Sequence, residues 1–124
     1  MMKRKRKPVV YIAGPYSNPD PVENTHNAYK IADSLMDVCS PMVPHSSLMQ
    51  HLIYPRPYGE WLEHDLNLVD ICHALLRIPG ESSGADKEVV HAKRRGIPVF
   101  TDVDELRKWC REWPAPEFEV LFYE

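Results

Sequence analysis

Two hydrophobic rhythms alternate along this chain and predict its elements. Short unbroken runs rich in β-branched residues read as buried strands, and longer runs with apolar positions three and four apart read as one-sided helices. Pro8 to Gly14 is a run of the first kind that stops at Gly14-Pro15, so it predicts a fully buried central strand ending in a turn. Beyond the stiff loop Pro15 to Pro21, the stripe Ala28, Ile31, Ala32, Leu35 and Val38 predicts a helix over 22–38. A short strand around Met42 to His45 comes next. The long segment from Ser46 to Tyr58 is of the kind that serves as a lid or binding loop in a small domain. A helix over 59–70 carries Trp61, Leu62, Leu66 and Val69 on one face. Ala74 to Pro79 and Ile97 to Thr101 predict two more strands, and Asp102 or Asp104 caps a last helix to about Trp113. The tail from Phe118 to Tyr123 alternates weakly, which suits an edge strand or a contact with a second copy.

Strands alternating with helices imply an α/β fold whose mostly parallel sheet, of about five strands, is covered on both faces. Ligands of such sheets bind beyond the carboxyl ends of the strands, at the switch point. Gly14, His45 and Gly80 fall at those ends, so the loops that follow them should line one pocket.

The stretch from Pro79 to Ala92 holds the densest chemistry. Ser83 is placed to cap a helix running to Gly96, and Asp86 three residues later completes a Ser-x-x-acid capping box. The amides at a helix start have no internal partner and the dipole is positive there, so Ser82, Ser83 and Gly84 form a cradle for a phosphate or a sugar hydroxyl. Glu88 is anomalous, because it shares the packing stripe of Ala85 and Ala92 with no Lys or Arg three or four residues away. Asp65 repeats the anomaly amid Trp61, Leu62 and Val69. One such acid is ordinarily explained by the dipole at a helix start. Burying a carboxylate costs several kcal/mol unless it is paired or used, so two of them favour a function.

Composition narrows the classes. With 124 residues, 44% hydrophobic and 27% charged, the chain reads as one soluble domain over 8–124 after a basic leader at 1–7. A net charge of −3 gives no global case for nucleic-acid binding, and the local run Lys3 to Lys7 at a chain end reads as a solvated leader over a nucleic-acid arm; no apolar run reaches membrane-spanning length, so the cytoplasm is the expected compartment. Cys39, Cys72 and Cys110 show no C-x-x-C and read as reduced core thiols. The histidines lack paired-ligand spacing, so neither a metal nor a cofactor is expected.

Two acids in a dry pocket suit cleavage of a glycosidic bond, one as nucleophile and one assisting the leaving group. Tyr16, Tyr54 and Tyr58 suit a planar base, and His45 a contact to base or sugar. The segments Tyr11 to Ser17, Pro44-His45, Trp61 with Asp65-Leu66, and Pro79-Gly80 through Ser82, Gly84, Ala85, Glu88 and Ala92 to Gly96-Ile97-Pro98-Val99 resemble the nucleoside 2-deoxyribosyltransferase superfamily. Over roughly Val9 to Phe100 they are similar to its small phage and bacterial branch. The resemblance implies a single-domain flavodoxin-like three-layer sandwich, a nucleophilic Glu88 forming a glycosyl-enzyme, Tyr11 positioning it, and Asp65 assisting at the sugar or the departing base. It also implies a substrate pocket built with Gly14, Pro15, Tyr16, Ser17, His45, Ser82, Ser83 and Gly84, completed in a homodimer or higher oligomer.

Transferases of that superfamily carry an acid six residues before the nucleophile, where the nucleotide N-glycosidases carry Ser. Ser82 therefore points to a nucleoside 5′-monophosphate and to hydrolysis over base exchange, with a nucleoside as the other candidate. Two departures stand out. The loop after the first strand offers only Tyr16, Ser17 and Asn18 to a phosphate, and His73 stands where relatives have Asp. The alternative is a module that binds or senses a nucleotide in the same pocket without turnover. An electron carrier fits the fold class, but the Pro- and Asn-rich first loop is not a flavin phosphate cradle.

Overall fold

A computed structural model of the chain describes residues 2–114 and 117–120. In chain order they form β1 (Met2–Lys5), β2 (Val9–Ala13), α1 (Pro21–Ser34), β3 (Ser40–Met42), a 3₁₀ turn (Pro44–Ser47), α2 (Leu48–Ile53), α3 (Tyr58–Asp70), β4 (Ala74–Arg77), α4 (Ser83–Arg94), β5 (Val99–Phe100), α5 (Val103–Glu112) and β6 (Glu117–Val120). The main sheet is wholly parallel, in the order β3-β2-β4-β5. The unbroken apolar run at Val9 to Ala13 does lie at its centre.

Alternation along the two central strands divides the core. Val10, Ile12, Ala74 and Leu76 pack against Ala28, Ala32 and Leu35 from α1 and its end, and against Leu106 and Cys110 of α5. Tyr11, Ala13 and Leu75 face the other way, onto Val69 of α3 and Ala85 and Ala92 of α4. Helices therefore cover both faces, and a strand buried on both sides needs no polar alternation. Cys39, Cys72 and Cys110 are buried free thiols.

The parallel sheet has four strands rather than about five. The tail run does not join it. Glu117–Val120 pair antiparallel with Met2–Lys5 as a separate two-stranded sheet, in a register that sets Lys3 opposite Glu119 and Lys5 opposite Glu117. Part of the run expected as a leader is thus strand. Residues 121–123 of the expected tail strand lie outside the described residues.

Other boundaries moved for local reasons. Asp20 caps α1 through the Val22 amide, but the helix tightens at its end: Leu35, Met36 and Val38 donate to carbonyls three residues back, which keeps Leu35 and Val38 in the core. Asp102, not Asp104, caps α5, accepting from the amides of Asp104 and Glu105. The Ser46 to Tyr58 segment is largely helical. His45 sits in the 3₁₀ turn that opens it, past the end of β3. None of the described helices is long and apolar enough to cross a membrane.

Candidate functional site

Glu88 lies one turn into α4 on the side that packs against the sheet, and it is 4% exposed. The Tyr11 hydroxyl, from the middle of β2, donates to its Oε2. The strand alternation that turns Tyr11 toward α4 therefore delivers a donor to the buried carboxylate. Burial pushes Glu88 up to about 8; the Tyr11 hydrogen bond pulls the other way, and the Asp65 charge adds to the rise. Burial, then the charges of Glu88 and Asp65, drives the Tyr11 phenol far above its ordinary value, so it remains a donor.

Asp65 reaches the same cleft from α3. Its Oδ1 is buried and has no hydrogen-bond partner among the described residues, and burial pushes the group up to about 7. Tyr16 feels both burial and Asp65, which raise its phenol. The cleft encloses about 360 Å³, within the range of small-molecule sites, and both Asp65 and Glu88 line it.

The loops at the carboxyl ends of β2 and β4 are locked together. A Cβ on Gly14 would meet the Ile78 side chain at 2.3 Å, and one on Gly80, at φ +121°, would meet the Pro15 ring at 2.4 Å. Arg77, at the end of β4, donates to the Gly80 carbonyl at 2.9 Å and to Asp86 Oδ1 at 3.0 Å, tying that loop to the first turn of α4. Asp86 thus serves Arg77 rather than a capping box. Asn24 of α1 holds the first loop by donating to the carbonyls of Tyr16 and Asn18, at 2.9 Å each.

His45 braces this loop from beneath. Its Nε2–H donates to the Pro15 carbonyl at 2.7 Å, which leaves Nδ1 as an acceptor; Nδ1 is buried and has no partner among the described residues. Burial lowers the pKa of the ring, favouring this neutral form. Gly14, Tyr16, Ser17, Ser82, Ser83 and Gly84 also line the cleft, whereas Pro15 does not. The cap of α4 is Ser82, not Ser83: its Oγ accepts from the Ala85 amide at 3.1 Å and its carbonyl from the Asp86 amide at 3.1 Å. The free donors of the first turn are therefore the amides of Ser83 and Gly84.

The segment from α2 to the start of α3 forms the opposite wall. The Trp61 indole N–H donates to His51 Nδ1 at 2.7 Å, fastening α2 to α3, and both residues line the cleft with Tyr58 and Arg56. Sequence reasoning missed this pair, because their bond is visible only once the lid is helical. Tyr54, expected at a base, is 68% exposed and outside the cleft. Arg77 was also missed, although an Arg inside an apolar strand run was a signal. His73, the departure noted above, lies at the amino end of β4, where its Nδ1 accepts from the Val9 amide at 2.9 Å and its ring meets Trp113. It is remote from the cleft by topology. Among the described residues no cluster of three or more His, Cys, Asp or Glu side chains could hold a metal ion. No protein-family model matches the chain, and no curated protein matches it.

Proposed function

We infer that the chain cleaves the N-glycosidic bond of a nucleoside 5′-monophosphate, or of the nucleoside itself, through a glycosyl-enzyme on Glu88. The observation that carries this reading is the pairing of a buried, Tyr11-bonded Glu88 with an Asp65 whose Oδ1 has no partner among the described residues, both lining one cleft. The 2-1-3-4 strand order, numbered within the parallel sheet, is compatible with the flavodoxin-like architecture that the sequence resemblance implies.

The chemistry follows from what burial does to the two carboxyls. It raises both toward neutrality, so each can gain or lose a proton near pH 7. A sugar carbon gaining positive charge beside Glu88 favours the ionised Glu88 that the Tyr11 hydroxyl already stabilises, with the protonated form left to Asp65. A Glu88 oxygen attacks the anomeric carbon, the bond to the base nitrogen breaks with its electron pair on the base, and the base takes the Asp65 proton. Water then attacks the anomeric carbon, Asp65 accepts the proton of that water, and Glu88 leaves as carboxylate. Ser82 in place of an acid favours a phosphorylated substrate and hydrolysis. The cleft is open on one side, and a second copy would complete it.

Incubation with ribo- and deoxyribonucleoside 5′-monophosphates and the matching nucleosides, with and without a free base, tests the reading by chromatography of released base. Release that disappears in Glu88→Ala is the expected result. A Glu88→Ala protein with the wild-type rate removes the mechanism, and binding without release leaves a sensing module.

A further inference from the structure

Phosphorylated substrates need a counter-charge that the loop after β2 does not offer. Across the cleft, one does exist. Among the described residues Arg56 is the one Lys or Arg lining it, while Asp65, Glu81 and Glu88 supply three acids. Arg56 rides on the link between α2 and α3. Two residues on, the Tyr58 hydroxyl sits so close to α4 that a Cβ on Gly84 would approach it to 3.0 Å, and the Lys87 ammonium lies 5.4 Å from the Tyr58 ring centroid. These contacts hold the link over the first turn of α4, where the Ser83 and Gly84 amides are free. His45 also lines the cleft, is 2% exposed, and carries an Nδ1 with no partner among the described residues.

Arg56 has a partner, but a weak one. It pairs with Glu60 four residues on at 3.3 Å, both side chains being about half exposed at 52% and 53%. Exposed pairs of this kind contribute little, whereas a guanidinium on a phosphate makes paired charge-assisted bonds. We propose that Arg56 selects a 5′-phosphorylated substrate, exchanging Glu60 for the substrate phosphate above the N-terminus of α4. The proposal rests on the nucleotide reading above and adds the residue that makes it specific. Because the cation stands on the lid, a phosphate would also draw the lid onto the cleft.

Calorimetric binding to the turnover-blocked Glu88→Gln protein tests it, comparing nucleoside 5′-monophosphates with the matching nucleosides. Arg56→Gln is expected to weaken the monophosphate roughly 10- to 100-fold, with a much smaller effect on the nucleoside. Arg56→Lys should recover part of the loss, and Glu60→Gln, which frees Arg56, should tighten the monophosphate. Equal losses for both ligands, or none for either, overturn the proposal. Base release from wild-type protein is measured separately. Monophosphate binding without release discards the glycosidase and leaves Arg56 judged by the binding ratio, whereas failure to bind any monophosphate overturns the Arg56 proposal and leaves the glycosidase to be judged by base release from the nucleosides.

Discussion

Glu88 shows how much one residue can carry. Its ordinary pKa of 4.5 rises to about 8 in the fold, so between those values the folded chain keeps a proton that the unfolded chain has shed. Stability from this group is therefore full below about pH 4.5 and is lost as pH rises through about 8. Asp65, raised from 3.8 to about 7, acts in the same direction. Glu88→Gln should be more stable than wild type above pH 8, by something on the order of 2–4 kcal/mol, because the amide still accepts from Tyr11 without a charge to desolvate. Chemical denaturation across pH 5 to 9 checks this; a pH-independent difference would mean that burial of the charge is not what shifts the group. Both acids were legible as carboxylates on apolar stripes. Arg56 and His51 were not, because their meaning depends on partners brought together by the lid.

At the scale of the element, α4 is the informative case. The sequence reading placed its cap at Ser83 with a box to Asp86, one residue late. Ser82 won because Arg77, nine residues before Asp86, claims that carboxylate and pulls the loop into place. Ser82→Ala should therefore cost about 1 kcal/mol in urea unfolding, and Ser83→Ala close to nothing. Ser82→Asp keeps a capping oxygen and should retain stability while opposing a phosphorylated ligand. Equal costs for the two alanine variants would return the cap to Ser83. The lid was legible as a long connection but not as a helix, since α2 has no buried residue to impose a stripe.

For the whole molecule, α2 matters for the apolar surface it leaves exposed. Met49, Leu52, Ile53 and the adjoining Tyr54 are 66%, 67%, 61% and 68% exposed, a concentration of apolar surface on the element that walls the cleft. A second copy seated there would bury the patch and close the open side, consistent with the proposed homodimer. Sedimentation at micromolar concentration should show a dimer that Leu52→Lys dissociates. A wild-type monomer under the same conditions would sink this expectation, leaving the chemistry of Glu88 untouched.

The sequence by itself determined the alternation of strands and helices, the central strand and the two misplaced acids. Each is written in local periodicity, which depends only on how side chains repeat along a helix or strand. The tertiary structure decided the rest. It set four parallel strands instead of five, because the tail finds β1, and moved the cap of α4 by one residue. It also tied the Val9 amide to His73 across 64 positions and carried Arg56 over the cleft. Contacts between residues far apart in the chain depend on crossover geometry and loop packing, and no local pattern encodes them.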